Sequence, residues 1–371
     1  MSRPVRISMV EYQGRQDIHG KAVGHAPKVL REYLELNKDS FDIDIFAPDT
    51  ILAGLPEDCK APLTVMPRSI VMKSGNTVYD RIRNKLNMFA NIRFALKNSD
   101  ADIIWFFNVE FYLFLYLALF GSHRRRIAVT LFRDGYHHGA LSGIKQRIFE
   151  AGQKRVSGCI SAGPLFTFKN MSAVFIPDYM YDPDTCDRSL TEVKEDYAVC
   201  MGTMGDEKQL EELVSAFSRL SYPLVIAGRF YDKERYSRLC KAAGSNIEIR
   251  DTYLSDDEYM SLLGHARYAV LPYLHENYSA QTSGVMQEAV FADTVVLTHE
   301  KILAGNAIPG VGYQSYDDIS DDMLSGEKSA ERNLSILKEY EHLRNEVYGK
   351  PGIKKKYKDF FESLKRAPSG A

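Results

Sequence analysis

The chain has 371 residues, which at about 150 residues per domain predicts two domains. Hydrophobic residues make up 45% and charged residues 26%, so the composition is that of a globular protein and excludes disordered, collagen-like and fibrous classes. The net charge is −2 and the pI is about 6.5, which does not favour a nucleic-acid binder.

Charge is unevenly distributed along the chain. Residues 1–178 carry 24 basic and 17 acidic side chains, a net of +7, whereas residues 179–345 carry a net of −13 and the last 26 residues a net of +4. The opposite signs suggest that the two halves face different partners or each other, although uneven solvated surfaces would give the same pattern.

The cysteines and the apolar segments indicate the cellular compartment of the protein. The five cysteines include no CxxC pair, and the first residues lack the apolar run of a signal peptide, so we expect a cytoplasmic protein. The most apolar stretch, 105–121, has an uninterrupted part of only 11 residues, against about 20 for a membrane-spanning helix. We interpret it as a strand end and a core helix, with a membrane-dipping segment as the alternative.

The first half alternates between predicted strands and helices. Strands are predicted at 5–10, 41–46, 102–107 and 127–132, and helices at 26–36, 79–98 and 111–120. In the helix 79–98, the side chains Ile82, Leu86, Phe89, Ile92 and Leu96 share one face. Alternation of this kind predicts a parallel sheet with crossover helices, which is an α/β fold.

A polar, acidic segment separates this half from a second run of alternating elements. The second run has predicted strands at 197–201, 223–227, 247–250, 268–272 and 294–297, with a helix at 207–220 and others between the strands. We predict an N-terminal domain over 1–178, a linker over 179–196, a C-terminal domain over 197–345 and a helical tail over 346–371.

Ligands of doubly wound sheets bind beyond the carboxyl ends of the strands, so the loops there hold the candidate site residues. Ser283 and Gly284 open a predicted helix, whose free N–H groups suit a phosphate, and Glu288 one turn later suits a sugar hydroxyl. An ordinary helix start with a solvated glutamate is the alternative.

Two cations follow other strands of the second half. Lys208 falls in the first turn of the predicted helix 207–220, where a positive charge opposes the helix dipole and is better explained by a bound anion than by helix formation. Arg229 follows Gly228, and its guanidinium suits phosphate oxygens. A solvated lysine and an Arg paired with a nearby Asp remain open.

The loops of the first half offer other candidates. They are His19, Gly20 and Lys21 after the first strand, and Asp134, His137 and His138 after the strand 127–132. A histidine can act as hydrogen-bond donor or general base near neutral pH. No third ligand stands at a metal-like spacing, so we expect no metal. The absence of GxSxG, Walker A and GxGxxG motifs weighs against serine hydrolysis, ATP and NAD chemistry.

The order of these pieces resembles retaining GT-B glycosyltransferases of the family 4 type (group 1), best over residues 197–300. That family has a strand and then G-R-L-x-x-E-K-G, where this chain keeps Gly202 and Lys208 and has Thr203 at the arginine position. Ala280 stands where the family has the first of two glutamates. The other matching pieces are Ala227-Gly228-Arg229-Phe230, Ser255-x-x-Glu258, Glu288-Ala289 and Thr294-Val295-Val296.

The resemblance implies the GT-B fold: two Rossmann-like domains facing a cleft, with a C-terminal helix crossing back to the first domain. It also implies a nucleotide-sugar donor with no further cofactor. Lys208 and Arg229 would neutralise the diphosphate, and Glu288 would hold the ribose. We predict as catalytic residues Lys208, Glu288 and His137; as donor-binding residues Gly202, Thr203, Arg229, Tyr253, Leu254, Ser283, Gly284 and Val285; and as acceptor-side residues His19, Gly20, Lys21, Asp134 and His138.

The predicted activity is transfer of a hexose-type sugar, with retention, to a glycan or lipid-linked acceptor in bacterial surface-polysaccharide synthesis. The basic segment 123–126, with Lys145 and Arg147, fits an acceptor at an anionic membrane surface, or is a solvated basic edge. Two alternatives remain, a nucleotide-sugar epimerase and a non-catalytic sugar-nucleotide-binding homologue. Thr203 and Ala280 favour the second of these.

Overall fold

A computed structural model describes residues 3–22, 26–56, 59–72, 77–121, 125–136, 141–178, 180–183, 193–278 and 281–366. The chain divides into two compact units. The first unit comprises Met1–Ala162, Phe166–Ile176 and Ile353–Ala371, and the second comprises Gly163–Leu165 and Pro177–Gly352.

The first unit is built on a parallel sheet of seven strands, in the order β4-β3-β1-β6-β7-β8-β9, with a separate two-stranded pair β2-β5. The strands are β1 (Arg6–Val10), β2 (Arg15–Gln16), β3 (Asp42–Pro48), β4 (Leu63–Met66), β5 (Ile70–Val71), β6 (Ile103–Phe106), β7 (Ile127–Leu131), β8 (Gly158–Ser161) and β9 (Ala173–Phe175). The helices are α1 (Ala26–Asn37), α2 (Asp49–Leu52), α3 (Val78–Asn98), α4 (Phe111–Phe120) and α5 (Ser142–Gln153).

The central strands of this sheet, β1 and β6, are mostly apolar. Strand β1 pairs with β3 on one side and with β6 on the other, so the chain reverses its direction of winding between β1 and β6. All four residues of β6 are buried, as expected for a parallel strand covered on both faces. The predicted strands of this half are confirmed. Strands β2, β4, β5, β8 and β9, each of two to four residues, were not predicted.

Helix α3 differs from its predicted packing. A capping box between Thr77 and Asp80 starts it, and Ile92 on its predicted apolar face is buried. However, Ile82 and Leu86 on the same predicted face are exposed, because the helix turns Met88 and Ile92 toward the sheet instead. Apolar periodicity locates a stripe on a helix but does not show what covers it.

Helix α4 confirms the predicted helix 111–120 and is buried on one side only. Leu113, Phe114 and Leu117 are in the core, whereas Leu119 and Phe120 are exposed. Within the ranges described above, no helix combines the length and apolar character needed to cross a membrane.

The second unit has a parallel sheet of six strands in the order β12-β11-β10-β13-β14-β15. The strands are β10 (Glu195–Met201), β11 (Leu224–Gly228), β12 (Ile247–Asp251), β13 (Ala266–Leu271), β14 (Val295–His299) and β15 (Val311–Tyr313). The helices are α6 (Leu210–Phe217), α7 (Lys233–Ala242), α8 (Asp256–His265), α9 (His275–Tyr278), α10 (Gly284–Phe291), α11 (Glu300–Asn306), α12 (Asp321–Leu324) and α13 (Glu327–His342).

Short sequence patterns predicted most of the helices and strands of the second unit, with one error at the start of α6. Ser255 and Glu258 of the Ser255-x-x-Glu258 pattern form a capping box that starts α8. The helix predicted at 207–220 is present as α6, but its predicted start was wrong, because α6 begins only at Leu210 and its N-cap is Gln209. Lys208 therefore lies in the turn before α6 and not in its first turn.

Lys194 fixes the ends of two helices of the second unit. Its ammonium donates to Gly264 O at 2.5 Å, to Ala292 O at 2.7 Å and to Thr294 Oγ1 at 2.9 Å. These carbonyls lie at the C-terminal ends of α8 and α10, where a cation is favoured. Burial lowers the pKa of Lys194 to about 8. This contact positions α10, whose other end is the predicted phosphate site.

The chain returns to the first unit through its last helix. Helix α13 continues into a π-helical turn, Leu343–Val347, and α14 (Lys350–Arg366) follows. Gly352 lies inside α14.

Aromatic side chains attach α14 to the first unit. The Phe361 ring lies 5.1 Å from the Trp105 ring and 5.4 Å from the Phe41 ring, and the Tyr357 ring lies 5.5 Å from Trp105. The attachment of α14 is thus largely apolar. Two ion pairs accompany the aromatic contacts, since Lys354 lies 2.7 Å from Asp39 and Lys365 lies 3.3 Å from Asp102.

Candidate functional site

Two glycine-containing loops touch at the carboxyl ends of β10 and β11. Gly202 has φ +94°, and a Cβ on Gly228 would lie 1.8 Å from Gly202 O. The loops are also joined by a hydrogen bond from Met204 N to Arg229 O at 3.0 Å. Glycine at 228 is therefore required by this close approach, which brings the loop with Lys208 against the end of β11.

Lys208 is a buried cation at this point, with 3% of its surface exposed. Its Nζ donates to Met201 O at 2.5 Å and lies 3.9 Å from Met204 Sδ. Among the described residues, no carboxylate comes within 4 Å of this ammonium. Burial lowers the pKa of Lys208. A buried ammonium with three donors and one carbonyl acceptor is an unfavourable arrangement that a bound anion would stabilise.

Arg235 of α7 hydrogen-bonds to the backbone of the loop that carries Lys208, a role that was not predicted. Its guanidinium donates to Gly205 O at 2.9 Å and to Lys208 O at 2.7 Å, and it forms a two-point ion pair with Glu211 at 2.9 and 2.6 Å. Because both carbonyls are fixed by one side chain, the backbone around Lys208 is held in position.

Tyr273 connects this loop to the start of α10. The Lys208 Nζ lies 5.7 Å from the centre of the Tyr273 ring, and the Tyr273 hydroxyl lies 3.4 Å from Ser283 Oγ. Burial raises the pKa of Tyr273, so its hydroxyl stays protonated. Ser283 makes no side-chain cap to α10, and the leading N–H groups, those of Gly284 and Val285, have no acceptor within the helix. The structure thus brings Lys208 and the predicted helix start together.

Glu288 lies further along α10, half-buried. Its Oε2 accepts a hydrogen bond of 2.6 Å from the hydroxyl of Tyr259 in α8. The loop before α8 carries Leu254, which is half-buried, and Tyr253, which is 80% exposed. A carboxylate fixed in this way can accept hydrogen bonds from a polyol with its second oxygen.

Two predicted donor-binding residues lie on the outside of the loops. Thr203 is exposed, and the exposed Arg229 places its guanidinium 5.7 Å from the centre of the Tyr231 ring. Neither side chain is among the contacts of the Lys208 ammonium, which are Met201 O, Met204 Sδ and the Tyr273 ring. The cation–π contact with Tyr231 accounts for the position of Arg229.

Three of the five predicted acceptor-side residues, His19, Gly20 and Lys21, lie in an exposed turn. Asp17 Oδ1 accepts hydrogen bonds from the N–H groups of His19 and Lys21, each at 2.9 Å, and Gly20 has φ +78°. Asp134 is half-buried after β7. The predicted residues His137 and His138, and also Ala280, lie outside the described residues. No group of three His, Cys, Asp or Glu side chains in the described ranges could hold a metal ion.

A buried carboxylate at the point between β1 and β6 was not predicted. Glu11 accepts hydrogen bonds from Gly14 N at 2.7 Å, Gln13 N at 3.2 Å and Asn108 Nδ2 at 3.2 Å. Burial raises the pKa of Glu11. The position of Glu11 directly after an apolar strand is the sequence feature that could have indicated it. In the structure, the Glu11 carboxylate accepts the hydrogen bonds that close the turn after β1.

Comparisons with known proteins give matches only among solved structures. No protein-family model matches the sequence, and no curated protein matches it either. AviGT4, a glycosyltransferase involved in avilamycin A biosynthesis, is similar in structure, with a TM-score of 0.59, 15% identity and coverage of 98% of this chain and 99% of that chain.

Two further structures are similar over the same extent. HepE of Anabaena in complex with UDP has a TM-score of 0.65, 12% identity and coverage of 97% and 100%. The N-terminal domain of the Candida albicans trehalose-6-phosphate phosphatase has a TM-score of 0.65, 10% identity and coverage of 97% of each chain. The chain therefore has the GT-B fold, with two Rossmann-like units, as predicted. A fold of this kind is compatible with more than one activity.

Proposed function

We propose that the protein is a glycosyltransferase that uses a nucleotide-diphosphate sugar bound by the second unit. The observation that supports this proposal most directly is the position of the Lys208 ammonium, which is buried and has no carboxylate partner among the described residues. The ring of Tyr273 lies between this ammonium and Ser283 at the start of α10. A cation and free backbone N–H groups together suit a diphosphate. HepE, of similar fold, has been solved with UDP and with UDP-glucose, which makes these the first ligands to test.

The same groups suit the chemistry of sugar transfer. Cleavage of the bond between the anomeric carbon and the phosphate oxygen leaves negative charge on the departing diphosphate. Lys208 and the N–H groups of Gly284 and Val285 would stabilise that charge, and one preorganised donor is worth about 3 kcal/mol in such reactions. The arrangement requires no metal ion for this step.

The finer assignments rest on the family resemblance. We propose a hexose-type sugar, with Glu288 on the ribose and retention of configuration by attack from the leaving-group face, the departing phosphate taking the acceptor's proton. The acceptor would be a glycan or lipid-linked sugar of surface-polysaccharide synthesis. It would be bound by the first unit near His19–Lys21 and Asp134, with His137 as donor or general base.

Calorimetry with UDP, UMP and uridine tests the diphosphate site. We expect UDP to bind at least tenfold more tightly than UMP, since a second phosphate adds charge opposite Lys208. Equal affinities for UDP and UMP would contradict a diphosphate site. A parallel assay for release of UDP from UDP-hexoses, with and without oligosaccharide acceptors, tests transfer itself.

A non-catalytic sugar-nucleotide-binding protein is the second candidate. It is favoured by Thr203, which is exposed and uncharged where the resembled family has an arginine. Tight binding of UDP together with no release of UDP from any nucleotide sugar would support it over the transferase.

A further inference from the structure

An apolar stripe on the outer face of α3 is exposed to solvent. The buried residues of this helix are Asp80, Asn84, Met88, Asn91, Ile92 and Ala95. Tyr79, Ile82 and Leu86 lie on the other side, and 62% of Leu86 is exposed. Polar side chains usually occupy such a face, so aliphatic residues here indicate an interaction surface.

Helix α4 extends the stripe. The ring of Phe89 in α3 lies 5.6 Å edge-on from the ring of Tyr116 in α4, and the Tyr116 ring lies 5.3 Å from the Phe120 ring. Leu119 and Phe120, at the end of α4, are both exposed. The two helices therefore form one continuous apolar face, which we call the α3–α4 surface.

Cations surround this surface. Helix α3 carries five exposed basic residues: Arg81, Arg83, Lys85, Arg93 and Lys97. Its single acid, Asp80, is buried in the capping box, and α4 carries no charged residue. Two of the cations lie over rings of the surface, Arg83 at 5.9 Å from the centre of Tyr79 and Lys85 at 5.4 Å from the centre of Tyr112.

We propose that the α3–α4 surface binds an anionic lipid bilayer. The aliphatic and aromatic side chains would enter the boundary between headgroups and acyl chains, where tyrosine is favoured. The surrounding cations would meet lipid phosphates. The charge of the surface favours a bilayer over a second copy of the chain. A wholly apolar face would suit either partner. A face with five cations and no exposed acid on either helix repels its own copy.

This surface differs from the basic segment 123–126 suggested by the sequence, and it is independent of the proposed transferase activity. Binding to vesicles needs no nucleotide sugar, so failure of the lipid proposal and failure of the donor site are separate results.

Vesicle cosedimentation of the full chain tests the proposal. Vesicles of phosphatidylcholine alone are compared with vesicles that also contain phosphatidylglycerol, and we expect binding to the second only. The variants Ile82→Gln and Leu86→Gln should each lower partitioning on the order of tenfold. Arg81→Gln and Lys85→Gln should each lower it about fivefold.

Matched controls come from α13 of the second unit. Leu334 is 61% exposed on that helix, and Lys338 is exposed beside it, so Leu334→Gln and Lys338→Gln should leave partitioning unchanged. Circular dichroism melts establish that each variant is folded.

Three results would overturn the proposal. The first is that the chain does not bind vesicles containing phosphatidylglycerol. The second is that Leu86→Gln and Leu334→Gln weaken vesicle binding equally. The third is that the chain forms a dimer in sedimentation equilibrium and that Leu86→Gln dissociates this dimer. The last result would assign the surface to a second copy of the chain.

Discussion

The ammonium of Lys208 lies 5.7 Å from the centre of the Tyr273 ring. The same ring reaches Ser283 with its hydroxyl, so one side chain spans the distance from a buried cation to the first turn of α10. Tyr273 thus connects the loop of Lys208 with the loop before α10, which is far away in the sequence. The role of Lys208 in diphosphate binding can be tested separately from its contribution to folding.

Replacement of Lys208 by methionine should weaken diphosphate binding without unfolding the protein. Methionine has a similar length and no charge, and removal of a buried cation that lacks a carboxylate costs little stability. We expect UDP affinity to fall about 10- to 100-fold and the free energy of unfolding to fall by less than about 1 kcal/mol. Calorimetry and urea unfolding measure the two quantities. Lys241→Met, an exposed lysine on α7, is the control.

If Lys208→Met lowered UDP affinity and stability in proportion, Lys208 would be a structural residue of the loop and the diphosphate assignment would fail.

Glu288→Gln should separate recognition of the nucleoside from recognition of the phosphates. The carboxylate is fixed by Tyr259 at 2.6 Å, and an amide is a weaker acceptor for ribose hydroxyls. We expect UDP affinity to fall about tenfold, corresponding to roughly 1.4 kcal/mol, while inorganic pyrophosphate binds as before. Competition calorimetry compares the two ligands. A loss that is equal for UDP and pyrophosphate would place Glu288 at the phosphates and not at the ribose.

The stability of the second unit should depend on pH through Lys194. Burial lowers the pKa of this lysine to about 8, below the ordinary value of 10.5, so between these values the unfolded state binds more protons than the folded state. The free energy of unfolding of the wild type should therefore rise relative to Lys194→Met from pH 8 toward pH 10.5, by about 1 kcal/mol per pH unit at most. Urea unfolding at a series of pH values measures the difference, and a constant difference would contradict the shifted pKa.

Packing and not charge should dominate the attachment of α14. Phe361 is fully buried, with its ring 5.1 Å from Trp105, and Phe361→Ala should cost about 3–5 kcal/mol of stability. Lys354→Ala removes an exposed ion pair with Asp39 and should cost less than about 1 kcal/mol. Thermal and urea unfolding compare the two variants. Equal losses would mean that the ion pairs contribute as much as the aromatic cluster.

The parts of the fold that the sequence predicts are those with local causes. The helix start at Ser283–Gly284, the capping box at Ser255 and the glycine turns all follow from chemistry within a few residues. The predicted start of α6 at Glu207 was wrong because residues 207–209 instead hydrogen-bond to the segment after β13, as Gln209 N does to Pro272 O.

The geometry of the site depends on contacts that no local pattern encodes. Burial of Lys208 depends on Tyr273, and the position of its loop depends on Arg235, which lies in the next helix of the chain. The exposure of Leu86 has the same origin, because periodicity identifies an apolar face without identifying its neighbour.

The return of α14 to the first unit sets an order for folding during synthesis. The second unit is complete once Gly352 has left the ribosome, whereas the first unit still lacks the residues from Ile353 onward. Until then the indole of Trp105 lacks its Tyr357 and Phe361 neighbours. Most of the first unit is thus translated before the second unit but is completed only after it, when residues 353–366 have been made.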